Sequence, residues 1–560
     1  MKATLTLTKR SEARCDAQRC KANCEARHRA ANCDAQRRGS PGGLRINARA
    51  LVVALFSALL GTIGSAAQAQ PFETPPLPAP PRALAIATPT EQRLPNGLRV
   101  VLAARPGVRL VTAQLLVLAG SEVDPPQRAG LASLAAGLLT KGTQGRTASA
   151  QAREAESLGG SLDSSAGWNQ SQVSITVTVG QLNPALGLLA DAVMRPTFAQ
   201  AELERLRAQV LDGLKIAYSQ PATLAALATE RLLFGSRPYG HPADGTPASL
   251  PRITRADLQA LHSAHYRPDH AVLLLAGDLD DARALRLAAR HFGAWRVPPT
   301  GAAAASRLAL AALPTQVPAA GSSASPAAAA APTPWVAIDM AKADQATVMV
   351  ALPLPPLGAD RATASVLNAV LGSDFSSRLN QEIRIKRGLS YGVGSQLDAR
   401  REGGALRVSV QTRNASAAEV VALVRTELDG LIDTPVPTAE LAARKAALVG
   451  AFGRSIETTA GLGSALRSLV VAGVPVSELR ARIEALSAVT ADAVQRFAAA
   501  HLGADARRVV VAGEALEFSA SLQAQTQTPA STPLPSPARR FVTLTPATLD
   551  IERDGAWPDR

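Results

Sequence analysis

Aromatic residues are scarce in this sequence, at 3% of 560 positions, with four Trp, four Tyr and ten Phe. A core drawn from that inventory is filled by Ala, Leu and Val. Few rings remain to stack on the bases of a single-stranded nucleic acid. Cysteine is scarcer still, and all four (Cys15, Cys20, Cys24 and Cys33) fall near the N-terminus. A chain processed beyond that point has neither disulfides nor thiol chemistry. The apolar run "ALVVALFSALLGTIG" is 15 residues long, short of the roughly 20 that span a bilayer. No Gly-rich phosphate loop follows any strand-like segment.

Basic charge is present but unevenly placed. The net charge of +14 includes 12 Lys/Arg against 4 Asp/Glu in the first 69 residues, and the remainder carries 47 against 41, or +6. That excludes the clustered basic surface of a nucleic-acid binder. Within residues 45–70, Arg45 and Arg49 precede the apolar run, and "SAAQAQP" follows it. Ala67 and Ala69 put small residues at both recognition positions, so residues 1–69 read as an N-terminal extension ending in a secretory signal peptide. Cleavage after Ala69 and a periplasmic or otherwise exported location are expected, with no stable membrane span after cleavage. The repeated "CDAQR" at Cys15 and Cys33 could be combined with His28 into a metal cluster. The spacing matches no zinc pattern, however, and the segment reads as a disordered extension or an upstream start codon.

Residues 70–90 form a Pro-rich lead and residues 298–334 an Ala/Pro/Ser linker, compositions that cannot build a core. Between them, 91–297 read as one folded unit. It opens with hairpin chemistry around Pro95-Asn96-Gly97 and continues through helices at 127–140, 148–158, 181–193 and 199–218, with the strand "QVSITVTV" among them. A second unit spans 335–518, and 519–560 read as a flexible tail. The two units share an internal match: "ITRADLQALHSAHYRPDHAVLLLAGD" (253–278) lies without gaps over "VTADAVQRFAAAHLGADARRVVVAGE" (489–514). Each copy predicts an N-capped helix, a loop, a buried strand and a Gly turn. The expected fold class is α+β, with two homologous lobes, each a mainly antiparallel or mixed sheet covered by helices.

The frame Gly130-Leu131-Ala132 followed by Lys141-Gly142-Thr143, with "GSEVDPPQRAGLA" before it and "RPYGHPADGTPASL" after it, resembles the insulinase/pitrilysin family of zinc peptidases. The resemblance covers roughly 91–517 and implies a clamshell whose lobes enclose a peptide chamber. In catalytic members this frame carries His-x-x-Glu-His, in which two histidines on one helical face ligate zinc and the Glu activates a water. Carried onto this chain, those positions are Ser133, Ala136 and Gly137, and the family's distal Glu ligand falls on Gly213. Asp212, one residue away, points about 100° off that direction on a helix. The resemblance therefore implies no metal ligands and no cofactor in this chain. His262 and His265, at i and i+3 without a carboxylate, read as structural, and the second copy keeps only His501. His241 and His270 read as loop residues.

In the second unit, "SSRLNQEIRIKRGLSYGVGSQ" predicts a helix closed by Gly388 and followed by a strand. It resembles the family segment that supplies an Arg and a Tyr, here Arg384 and Tyr391, which bind substrate and stabilise the oxyanion at the zinc site of the opposing lobe. The residue types suit that task, since a guanidinium and a phenol hydroxyl both donate hydrogen bonds to developing negative charge. Arg387 is the fallback cation. The resemblance implies a non-catalytic subunit of an exported heteromeric metallopeptidase, with peptides as substrates and zinc in a homologous sister subunit. An inert scaffold or peptide-binding protein of the same fold is the alternative, and an autonomous peptidase with another site is a third. The leader reading is checked by the intact mass of protein recovered from the exported fraction, which is expected to begin at Gln70. A mass that retains the apolar run overturns it.

Overall fold

The computed structural model describes residues 86, 88–297, 334–527 and 540–547. The signal-peptide segment, the cysteine cluster, and most of the Pro-rich lead and of the linker lie outside the described residues. Six strands make the first sheet: β1 (Thr90–Arg93), β2 (Arg99–Ala104), β3 (Leu110–Val117), β4 (Asp163–Ala166), β5 (Ser171–Thr178) and β6 (Ala271–Gly277), in the order β1-β2-β6-β3-β5-β4. Six more make the second: β7 (Trp335–Asp339), β8 (Ala346–Leu354), β9 (Val393–Arg400), β10 (Gly403–Thr412), β11 (Arg508–Gly513) and β12 (Phe541–Leu544), in the order β12-β7-β11-β8-β10-β9. Both sheets are mixed. The parallel pairs are β2–β6, β7–β11 and β7–β12, and all others are antiparallel.

Helices of the first half are α1 (Leu131–Leu138), α2 (Ala148–Ser157), α3 (Leu182–Met194), α4 (Gln200–Ala217), α5 (Pro221–Phe234), α6 (Arg255–His265) and α7 (Asp281–Phe292). The second half holds α8 (Arg361–Leu371), a π-helix (Asn380–Lys386), α9 (Ala417–Asp433), α10 (Thr438–Ser455), α11 (Thr459–Val471), α12 (Glu478–Ala488), α13 (Ala491–His501) and α14 (Ser519–Gln527). The internal repeat has its structural counterpart. Thr254 and Thr490 each accept a backbone N–H three residues on, starting α6 and α13, and β6 and β11 then occupy the same central place in their sheets.

Those central strands explain how the halves join. Along β6, Leu273 and Leu275 enter the core formed with the first half's own helices, while Val272, Leu274 and Ala276 point to the opposite face. That face is covered by α11 from the second half, through Leu462, Leu466, Leu469 and Val470. The mirror arrangement holds for β11. Val509 and Val511 face the second half's helices, whereas Val510 and Ala512 are covered by Leu224, Ala225 and Ala228 of α5 from the first half. The central strand of each sheet is thus buried on both faces, one of them by a helix from the other half, and both lobes belong to one compact unit beginning at Ala83. A hydrogen bond between the Thr112 and Thr459 hydroxyls, 2.8 Å and buried, fixes α11 against β3.

Several boundaries differ from the sequence expectations. Helix 127–140 is a 3₁₀ turn at Pro126–Arg128 and then α1, because Gly130 breaks the helix in a left-handed conformation, φ +91°. The units 91–297 and 335–518 exchange α5 and α11, since periodicity reveals that a helix has a buried face but not which sheet covers it. The flexible-tail reading of 519–560 fails for Ser519–Gln527, which is α14, and for Phe541–Leu544, whose four residues pair in parallel with β7. Four residues, Phe-Val-Thr-Leu, between Arg540 and Thr545 carry too little pattern to announce a strand.

The helix exchange predicts that the two lobes unfold together. Leu466→Ala, at a side chain with no exposed surface, should cost about 2–5 kcal/mol and lower one shared urea transition followed by circular dichroism. Two separable transitions, with only one of them moved, would contradict the exchange.

Candidate functional site

The helix that would carry a zinc motif is built by its surroundings rather than by its own polar residues. Gly130 at its start has no capping side chain, and Asp124 takes that role, accepting the N–H groups of Gly130 (2.9 Å) and Ala132 (2.8 Å). Asp124 is fully buried, and burial drives its carboxyl well above the ordinary range. A Cβ at Gly130 would stand 2.8 Å from the Gly245 Cα. The "HPADGTPASL" loop can therefore lie against α1 only because both positions are glycine, each at positive φ. Ser249 Oγ completes the contact by donating to the Ala129 carbonyl at 2.8 Å.

Within that frame the side chains do not fit a metal. Ser133 Oγ donates to Asp244 Oδ1 at 3.1 Å. Ala136 is fully buried in the core, and a Cβ at Gly137 would meet Leu206 of α4 at 3.0 Å. Gly213 faces open space, while neighbouring Asp212 is exposed and paired with Lys215. Among the described residues, no three His, Cys, Asp or Glu side chains converge to hold a metal ion. The zinc held by catalytic members of the resembled family has no ligand set among the described residues.

The histidines serve packing. His262 Nε2 lies 2.7 Å from the Val193 carbonyl and its ring stacks on Tyr266. His501 packs against Phe497. His241 follows a loop as expected but is buried, edge-on to Trp168, and burial pushes its pKa down to about 4. Its Nε2 has no hydrogen-bond partner and lies 4.0 Å from Asp124 Oδ2.

Arg384 and Tyr391 do come together. Asn380, 5% exposed, anchors the π-helix by donating to the Val393 carbonyl at 2.7 Å, and Gly388 turns the chain back at φ +63°. Thr412 and Ser390 tie the returning segment to β10. The Arg384 guanidinium then lies 4.9 Å from the Tyr391 ring centre and 4.7 Å from that of Phe375, a geometry of favourable cation–π contact. Tyr391 is 90% exposed and Phe375 61%, so among the described residues both rings are largely open to solvent. Tyr391 precedes β9 by two residues rather than lying on a strand, which leaves its ring free of the sheet. The nearby carboxylate, Glu382, pairs with Lys386 and Arg387, and those hydrogen bonds, the Lys386 contact foremost, hold its pKa down. Arg387 is therefore committed as an ion-pair partner and is not the spare cation, whereas Arg384 makes no ion pair among the described residues. Phe375 was missed from sequence; its only signal is an aromatic in a polar stretch of a chain poor in aromatics.

A second charged cluster closes the lobes at their equivalent hairpins. Arg400 at the end of β9 is sandwiched by Trp168, Phe234 and Tyr239, with ring centres 4.3, 4.7 and 5.0 Å from its guanidinium. It pairs with Glu230 of α5 at 3.0 Å and with Asp398 at 2.7 Å, and Arg407 bonds the same two carboxylates. Two cations and two anions thus balance in a buried site. Arg401 bonds Asn169 through both its backbone and its side chain. Glu122 lies beneath it at 3.9 Å, with burial raising its pKa to about 7.

Comparison with known proteins agrees with this architecture. A family model described as insulinase (peptidase family M16) matches residues 99–235, and one described as the peptidase M16 inactive domain matches 252–448. The chain belongs to the insulinase-like M16 family. An uncharacterized zinc protease of Mycobacterium tuberculosis is 29% identical over 392 residues, covering 70% of this chain and 85% of the relative. Another, from Streptomyces coelicolor, is 27% identical over 425 residues, covering 75% and 88%. A crystal structure of a peptidase M16 inactive domain from Pseudomonas fluorescens matches at TM-score 0.66 and 26% identity, over 76% of this chain and 98% of that one. A protease from Helicobacter pylori shares the fold at TM-score 0.68 and 18% identity, over 77% and 100%. In this M16-like chain the zinc-motif positions carry Ser133, Ala136, Gly137 and Gly213.

Glu122 supplies a pH test of the lobe contact. Its folded pKa, about 7, exceeds its ordinary 4.5. The folded state therefore binds the proton more tightly, and the stability this confers is present below pH 4.5 and lost as pH rises through 7. Glu122→Gln keeps an acceptor for the Gly120 N–H and removes the buried charge. It is expected to melt like the parent near pH 4 and to be more stable at pH 8, by on the order of 2–4 kcal/mol. Equal melting at both pH values would show that Glu122 ionises freely.

Proposed function

We propose that the protein is an exported, non-catalytic subunit of a heteromeric metallopeptidase. It presents Arg384 and Tyr391 to a peptide held at the zinc site of a homologous, metal-bearing sister chain. The observation that carries this reading is the pairing of two facts in one molecule. The four positions for zinc chemistry are Ser133, Ala136, Gly137 and Gly213, yet the half-buried Arg384 stays stacked on the exposed Tyr391 ring, without an ion pair among the described residues. A cation without a carboxylate on an anchored π-turn is an arrangement suited to a peptide carbonyl and the oxyanion formed from it. In the proposed complex the sister chain binds the metal and activates water, and this chain binds the substrate backbone and stabilises the developing negative charge. The leader-like segment ending at Ala69 supports export.

Coexpression with a sister bearing intact His-x-x-Glu-His tests the reading. Arg384→Ala combined with Tyr391→Phe should leave complex formation intact by size exclusion and reduce peptide hydrolysis at least about 100-fold, the scale of losing oxyanion donors. Unchanged hydrolysis in an intact complex would leave the inert-scaffold alternative as the better account.

A further inference from the structure

A half-open cavity of about 430 Å³ lies in the second half, lined by α8, β9, the end of α10, α11 and α12. It falls within the size of small-molecule sites. Its wall is mostly apolar, with Leu357, Leu397, Phe452 and Leu479 among the lining residues. Space is left by α11, which spends Leu462, Leu466 and Val470 on the first sheet. The neighbouring face of α11 turns mainly small side chains, Gly461, Ser464, Ala465 and Ser468, toward the cavity, with Leu469 the one large residue of that helix on the lining.

Two arginines line this apolar space, Arg361 from the first turn of α8 and Arg482 from α12. Arg361 Nε is buried and has no hydrogen-bond partner. Arg482 Nη2 donates to Ser365 Oγ at 3.2 Å, and among the described residues neither guanidinium makes an ion pair. Burial holds both below the ordinary arginine range, and for Arg482 the charge of Arg361 adds to the effect. Glu478 is the one carboxylate on the lining and pairs with neither. The lining hydroxyls offer little to an anion, because Ser365, Ser455 and Ser468 each donate to a backbone carbonyl. Two uncompensated guanidiniums facing an apolar cavity are costly when it is empty and match a carboxylate whose remainder is apolar.

We propose that this cavity is a binding site for a small amphiphilic monocarboxylate, with Arg361 and Arg482 clasping the carboxylate and the leucine and phenylalanine wall holding an apolar chain. The site lies apart from Arg384 and Tyr391 and does not depend on the function proposed above.

The shared chemistry could come from a fatty acid or from the free C-terminus of an apolar peptide. Titration of the full-length protein with sodium decanoate below its micelle concentration, and separately with N-acetyl-leucyl-leucine, distinguishes them by calorimetry. Saturable binding of at least one is expected. Decanol, which lacks the charge, and inorganic phosphate, which lacks the chain, should each bind at least 10-fold more weakly. Arg361→Met combined with Arg482→Met should weaken carboxylate binding at least 10-fold while the far-ultraviolet circular dichroism is retained. Ala465→Phe, which fills the cavity and keeps both arginines, should do the same, and Glu478→Gln should tighten binding. Failure of both carboxylates to bind folded protein overturns the proposal, as does undiminished binding to either cavity variant. Equal binding of decanol or phosphate overturns the amphiphilic assignment.

Discussion

The structure depends on one constraint: its two central strands, β6 and β11, are apolar on both faces. A strand of that kind needs cover on two sides, and each half's own helices supply one. The second cover comes from the other half, α11 under the first sheet and α5 under the second. The lobes are therefore not two beads on a linker but a reciprocal exchange, in which neither sheet is finished without the other half of the chain. Burial of apolar surface across the exchange is the term that joins them, and the Thr112–Thr459 hydrogen bond and the Arg400 cluster add register and orientation.

The same exchange places the chemistry-bearing segments. With α5 seated on the second sheet, Glu230 and Phe234 meet Arg400, so the hairpins β4–β5 and β9–β10 are held together by a balanced set of buried charges. The π-helix lies elsewhere on the second lobe, anchored through the buried Asn380, and leaves Tyr391 exposed. On α11, one side is spent on the first sheet and the neighbouring side has mainly small residues, and that division opens the cavity bearing Arg361 and Arg482.

The frame around α1 shows how a metal-site scaffold persists without the metal. Asp124 caps the helix, Gly130 and Gly245 let the following loop approach, and Ser249 fastens that loop to Ala129. These contacts concern backbone satisfaction and close packing, and none requires a ligand at Ser133, Ala136 or Gly137. The recognisable order of the frame thus reports the fold, and only the three interior positions report the chemistry.

Much of this was legible in the sequence, because it was local. Capping at Thr254 and Thr490, the turn at Gly388, the doubled helix–strand unit and the missing zinc ligands are each written within a few residues or at a fixed spacing, where backbone chemistry and periodicity act directly. The heptapeptide step from Arg384 to Tyr391 likewise pointed to convergence. What the sequence could not assign was partnership across distance: which sheet α5 and α11 would cover, that Phe541–Leu544 would extend the second sheet, that Glu382 would claim Arg387 and leave Arg384 unpaired, and that Arg361 would share a cavity with Arg482. An amphipathic pattern specifies that a face is buried, and a charge that it needs a counterpart. Only the tertiary arrangement decides which surface or which charge supplies it, because that choice is settled by packing between segments hundreds of residues apart.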